Sequence, residues 1–204
     1  MKENNMPNWI ITPDKYLTQE ETKHLRKTCH EAILLAKPRG IQAPVRDALI
    51  IELALGTGLR VSEIANLKVE HLYLGKGQNS LIVKDGKGKK DRAVTFSFKL
   101  KNQIHEYLEY RKSDSPYLFS SKRGEKMTRS AIQKVFKKMA MRSGLPCHYS
   151  IHSLRHTYAT NLYKASGYNL RLVQKQLGHT NINTTTVYSD VISKDLDAAV
   201  EKLE

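Results

Sequence analysis

From residue 18 onward apolar positions recur mostly every three or four residues, the spacing of one buried helical face. Thr18-Gln19-Glu20-Glu21 forms a capping box, with Thr18 as N-cap and Glu21 placed to reach back. It opens a helix to about residue 36 that gathers Leu25, Cys29, Ala32, Ile33 and Ala36 on one side. Lys37-Pro38-Arg39-Gly40 breaks that helix. Residues 45–55 are apolar almost throughout, the mark of a helix buried on all sides, and Gly56 and Gly58 end the run. A short helix over 62–66 follows.

The period then changes. Runs at 71–74, 80–84 and 92–96 are separated by Gly75-Lys76-Gly77 and Gly86-Lys87-Gly88, which predicts a three-stranded antiparallel meander. Beyond residue 98 the helical spacing returns, with helices expected at 100–111, 128–142, 153–164, 169–177, 182–188 and 194–203. No internal repeat or low-complexity segment interrupts the chain. The expected class is α+β, mostly α-helical, with one small three-stranded antiparallel sheet.

Composition narrows the partners. A chain of 204 residues can bury one good core. Its formal charge of +14 points to a polyanion, either nucleic acid or an anionic membrane surface. No apolar run approaches the roughly 20 residues that span a bilayer, and the polar N-terminus is not a signal peptide. Nucleic acid therefore leads, with a cytoplasmic location. Cys29 and Cys147 fit neither a disulfide framework nor a zinc site, and Cys29 reads as a small core residue.

Several polar clusters carry chemistry. Arg60 follows Gly56-Thr57-Gly58-Leu59 at a helix-to-turn junction, where its fork can point into a cleft and grip phosphate oxygens, or simply pair with Glu63. His152 and Arg155 are three apart and share a face if helical, with Leu154, Tyr158 and Leu162 opposite. His156 reads as a structural neighbour of that pair. Gly86-Lys87-Gly88-Lys89-Lys90 is a glycine-flanked basic hairpin tip, able to approach a phosphate or to stand in solvent as an ordinary turn. It lacks the pattern of a Walker loop, and nothing in the sequence has the spacing of a catalytic metal site. In the helix at 128–142, Ile132, Val135, Phe136 and Met139 form an apolar stripe. Arg129, Gln133, Lys134, Lys137, Lys138 and Arg142 lie largely opposite, as a DNA-contacting or merely solvated face. Finally, Leu177-Gly178-His179 precedes Tyr188 by a short polar run.

Taken in order, GTGLRxSE, the basic hairpin, HxLRH and LGH followed by a tyrosine resemble the catalytic domain of the tyrosine recombinase (phage integrase) superfamily, from about residue 16 to the C-terminus. The resemblance implies that Tyr188 is the nucleophile and that Arg60 and Arg155 clamp the scissile phosphate. It makes His152 and His179 its hydrogen-bonding partners, with His152 also accepting the tyrosine proton. Lys87 becomes the general acid, with Lys84, Lys89 and Lys90 close enough to compete, and Glu63 buttresses the pocket. The implied function is a site-specific recombinase that cleaves and rejoins double-stranded DNA through a 3′-phosphotyrosyl bond, without cofactor, metal or ATP. Relaxation alone, as in type IB topoisomerases, and a non-catalytic DNA-binding accessory role are the alternatives.

The resemblance also divides the chain. Residues 1–15 are expected to be a lead-in or linker, too short for the family's N-terminal DNA-binding domain, and residues 16–188 the catalytic domain. Residues 189–204 form an acidic tail helix with Leu196, Ala199, Val200 and Leu203 on one stripe. In the family such a tail often docks on a neighbouring protomer, so self-association on DNA into a tetrameric synapse is expected, with packing of the tail on its own domain as the alternative. For DNA binding, Lys89, Lys90, Arg129, Gln133, Lys134 and Lys137 are the candidates.

Overall fold

The computed structural model describes residues 13–84, 91–121 and 123–178. Helix α1 (Gln19–Ala36) starts as expected: Thr18 Oγ1 accepts the Glu21 amide at 3.2 Å and Glu21 Oε2 accepts the Thr18 amide at 2.8 Å. Helix α2 (Gln42–Thr57) begins three residues earlier than the apolar run. Pro44 is no obstacle there, because the first helical turn has no intrahelical use for its amides. Helix α3 (Val61–Asn66) follows directly.

The meander is present but shorter than its apolar runs. Strands β1 (Leu72–Tyr73), β2 (Ser80–Val83) and β3 (Arg92–Thr95) pair in that order, both pairs antiparallel. His71 belongs instead to a 3₁₀ turn, Val69–His71, which trims β1 to two residues. Leu81 and Val94 face each other in register and are fully buried.

Four more helices complete the described chain: α4 (Phe98–Tyr110), α5 (Arg129–Arg142), α6 (Ile151–Ala165) and α7 (Leu170–Leu177). Each has a side-chain N-cap, from Ser97, Thr128, Ser150 and Asn169 respectively. The Ser150 cap moves the start of α6 ahead of residue 153, so His152 lies in the first turn. The expected helices at 182–188 and 194–203 lie outside the described residues.

Helix α2 is the axis of the core, packing against α1, α4, α5 and α6. Ala48, Ile50, Ile51 and Leu53 are essentially inaccessible. Such all-round burial is why the sequence shows a continuous apolar run there and not a stripe. On α5 the stripe Ile132, Val135, Phe136 and Met139 is buried, as its spacing predicts. Cys29 is likewise a core residue, its thiol pushed up to about 12, first by burial and then by Glu52. A second cluster, Ala159, Tyr163, Val173 and Leu177, joins α6 to α7 and takes in Tyr16 from the chain before α1. That entering segment is anchored by the Leu17 amide on Thr157 Oγ1 at 2.9 Å and by His148 against the Asp14 carbonyl at 3.0 Å. No helix among the described residues is long and apolar enough to cross a membrane.

Candidate active site

The site is built where two helices end on left-handed glycines. Gly58 closes α2 with φ 64° and Gly178 closes α7 with φ 67°. Gly58 has no room for a side chain: a Cβ there would run into the Tyr158 ring and lie 2.8 Å from Leu177 Cδ2. The turn after α2 therefore packs directly on α6 and α7. It delivers Arg60, the N-cap residue of α3, to the same face of the protein.

Arg155 holds the two helix ends together. From α6, its Nη1 donates to the Gly58 carbonyl and its Nη2 to the Leu177 carbonyl at 3.0 Å. Helix C-termini carry partial negative charge, so a guanidinium between two of them is favourably placed. The residue is only 6% exposed. Helical spacing puts it on the side of His152, but the structure sets the two at different depths: Arg155 is buried and His152 exposed.

Glu63 is the electrostatic centre. Its Oε1 accepts Arg60 Nη1 at 2.9 Å and Arg92 Nη1 at 3.0 Å. Its Oε2 accepts the Arg60 amide at 2.7 Å and Arg92 Nη2 at 2.9 Å. Burial alone would raise the Glu63 carboxyl. The hydrogen bonds and charge of Arg92, the Arg60 amide and the charge of Arg155 outweigh it and hold the group below its ordinary value. One carboxylate thus faces three guanidinium groups, leaving an excess of positive charge suited to a bound anion.

His152 stands at the rim. Partial desolvation, then the charges of Arg155 and Arg60, keep its imidazole below the usual histidine range. The uncharged form, which can accept a proton, is thereby favoured. His156 lies deeper and is pushed down to about 4 by burial, with Arg155, His152 and Lys15 adding to it.

Arg60, Glu63, His152 and Arg155 thus come together from α3 and α6. Lys87, Lys89, Lys90, His179 and Tyr188 lie outside the described residues. On either side of the segment 85–90, Lys84 Nζ donates to Asp91 Oδ2 at 2.6 Å, so Lys84 is already engaged. Helix α7 reaches β3 through Gln176, whose amide donates to the Thr95 carbonyl and, at 3.0 Å, to Tyr158 Oη.

The α5 candidates divide. Arg129, Lys134 and Lys137 are all exposed. Gln133 and Lys137 have internal partners: Gln133 Oε1 accepts the Ile151 amide at 3.2 Å, and Lys137 Nζ donates to the carbonyls of Cys147 and Tyr149 at 2.5 and 2.6 Å. Both brace the start of α6, the helix that carries His152 and Arg155. Sequence reasoning missed Arg92 altogether. It sits 29 residues from Glu63 and follows no local pattern that would join them.

Residues 15–194 match the family described as the phage integrase family. The chain belongs to the phage integrase family. Among curated members, a tyrosine recombinase XerA of Pyrococcus furiosus is 38% identical over 194 residues, covering 94% of this chain and 62% of that protein. A XerA of Pyrococcus horikoshii is 42% identical over 161 residues, covering 78% of this chain and 55% of that protein. The chain thus spans less than two thirds of the length of these integrase-family relatives. The fold agrees with solved structures. XerA recombinase superposes with a TM-score of 0.74 at 27% identity, over 93% of this chain and 65% of that one. XerH site-specific recombinase bound to its difH substrate, in a pre-cleavage complex, gives 0.72 at 28% identity, over 86% and 50%. The α+β fold is that of tyrosine-recombinase catalytic domains. Among the described residues no group of three or more His, Cys, Asp or Glu side chains could hold a metal ion.

Proposed function

We propose that the chain is a site-specific DNA recombinase, an integrase-type enzyme that breaks and rejoins double-stranded DNA through a 3′-phosphotyrosyl intermediate. The observation that carries this reading is the cationic pocket itself: Arg60, Arg92 and Arg155 around a single Glu63, with His152 at the rim. The XerH–difH complex is a relative of the same fold on DNA.

In the proposed step the Tyr188 oxygen attacks the scissile phosphorus as its phenolic proton passes to His152. The bond from phosphorus to the 5′ oxygen breaks, and Lys87 donates a proton to that departing oxygen, which leaves as a 5′-hydroxyl. A free phenol has a pKa of about 10, so the surrounding positive charge favours the phenolate. Arg60 and Arg155, with His179, stabilise charge developing on the non-bridging oxygens. Attack by the 5′-hydroxyl of a partner strand reverses these transfers and completes the exchange. One phosphodiester replaces another, and covalent catalysis divides the reaction into two comparable halves. Assembly into a tetrameric synapse through residues 189–204 belongs to the same proposal.

A nicked suicide duplex, incubated without metal and resolved by denaturing electrophoresis, tests it. The wild-type chain is expected to become covalently attached to the 3′-phosphate, and Tyr188→Phe to give no adduct. An adduct that persists in Tyr188→Phe, or none from wild type on DNA recovered from its own genomic surroundings, overturns the reading.

A further inference from the structure

Arg92 opens β3, two residues after the lysine-bearing segment 85–90 in the sequence, and meets two other parts of the site at once. Its fork spans both oxygens of Glu63, at 3.0 and 2.9 Å, while Arg60 takes the same two oxygens through its amide and its guanidinium. Four donors use the acceptor capacity of a carboxylate fully, which fixes its plane and with it the direction of Arg60. On its other side the Arg92 stem lies against Gly178. A Cβ built on that glycine would stand 2.5 Å from Arg92 Cδ, 2.7 Å from Nε and 3.0 Å from Cζ. The Arg92 side chain is 14% exposed, and its Nε has no hydrogen-bond partner among the described residues.

We infer that Arg92 is a positioning residue of the cleavage site: it fixes the Glu63 carboxylate that aims Arg60, and it forms the floor under the Gly178 turn from which His179 departs. The inference rests on the recombinase reading for its catalytic consequence, though not for its structural one. A lysine cannot replace this fork, since it keeps the charge but offers a point where Arg92 offers two parallel donors. Alanine at Gly178 attacks the same contact from the other side. Gly144 supplies the control, with a similar φ of 71° and nothing within 4 Å of an added Cβ.

Two measurements decide it. In the free protein, amide hydrogen exchange at Arg60 and Gly178 is expected to accelerate by about tenfold or more in Arg92→Lys and Arg92→Ala, while Ile104 in α4 keeps its wild-type rate. Unchanged exchange at Arg60 and Gly178, or equal acceleration at Ile104, overturns the inference. With a nicked duplex at saturation, the single-turnover rate of adduct formation is expected to fall by about tenfold or more in Arg92→Lys and Gly178→Ala, with DNA affinity within about threefold of wild type. Gly144→Ala should keep its rate. Lost affinity at an unchanged rate would make Arg92 a DNA contact and sink the positioning role. If wild type itself forms no adduct, the recombinase reading fails, and the exchange rates still decide whether Arg92 positions Arg60 and Gly178.

Discussion

Arg155 and Leu177 are joined by a buried hydrogen bond of 3.0 Å from the guanidinium Nη2 to the backbone carbonyl. Through it, α6 fixes the last turn of α7, the element that leads to His179. The other arm of the same guanidinium closes on Gly58, two residues before Arg60. One side chain thus sets the spacing between three segments of the site, and its loss should be felt in folding as well as in catalysis.

Variants of Arg155 and Arg60 are accordingly expected to differ in stability although both residues are proposed to grip the same phosphate. Arg155→Met strands two carbonyls in a buried setting and should cost about 3 kcal/mol. The Arg60 side chain is 40% exposed, and Glu63 keeps Arg92 when it is removed. Arg60→Met should therefore stay within about 1 kcal/mol of wild type. Both should abolish the covalent adduct. Urea unfolding of the two variants checks this, and equal costs would refute the structural role given to Arg155.

Gly58→Ala should be more damaging than the same change at Gly40. Both positions have left-handed backbone, φ 64° and 66°, and share a strain of about 1–2 kcal/mol. Only at Gly58 does the added carbon meet Tyr158 and Leu177, which adds about 1–3 kcal/mol of overpacking. Thermal unfolding measures the difference. Matching melting temperatures for the two variants would mean that the α2 turn is not packed on α6 and α7 as described.

The helices were legible from sequence because each buries a repeating face or carries its own cap within a few residues. Thr18 with Glu21 and the stripe on α5 are both of this kind. The continuous run in α2 showed burial but not its start, since Pro44 reads as a breaker unless it falls in the first turn. Arg60, His152 and Arg155 stood out through short motifs. The depth of Arg155 did not, because helical spacing gives a direction and not a distance to the surface. Arg92 was invisible for a different reason: its partners, Glu63 and Gly178, come together only when β3, α3 and α7 are assembled. That Gln133 and Lys137 also bond within the protein was not legible, because a local pattern shows charge and polarity but not a carbonyl or amide 10 to 18 residues away.

That distinction gives a prediction for DNA binding. Lys134→Ala and Arg129→Ala remove exposed cations and should each reduce the slope of log affinity against log salt by about 1 if they neutralise phosphates. Lys137→Met should leave the slope nearly unchanged and instead lower stability by about 1 kcal/mol, since two carbonyls just ahead of α6, in exposed and part-buried settings, lose a charged donor. Affinities measured over a salt series, alongside urea unfolding, separate the two classes. A full unit lost from the slope in Lys137→Met would return that lysine to the DNA-contacting face.

Acid sensitivity should trace in large part to His156. Its pKa is pushed down from 6.5 to about 4 in the folded protein, first by burial and then by the charge of Arg155. Below pH 6.5 the unfolded chain binds a proton that the folded chain refuses, so stability falls as pH drops towards 4 and is fully present above 6.5. At about 1.4 kcal/mol per pKa unit, the loss amounts to about 3 kcal/mol across that window. Glu63, held below its ordinary carboxylate value, adds a loss of the same sign at lower pH, as protonation removes an acceptor from Arg92 and Arg60. His156→Gln removes the first of these. Its unfolding free energy should be lower than wild type at pH 7.5 but decline much less than the wild-type curve between pH 6.5 and 4.5, with His152, also held below the histidine range, contributing to the slope that remains. Parallel curves for the two proteins over that range would show that the buried imidazole is not the group that titrates.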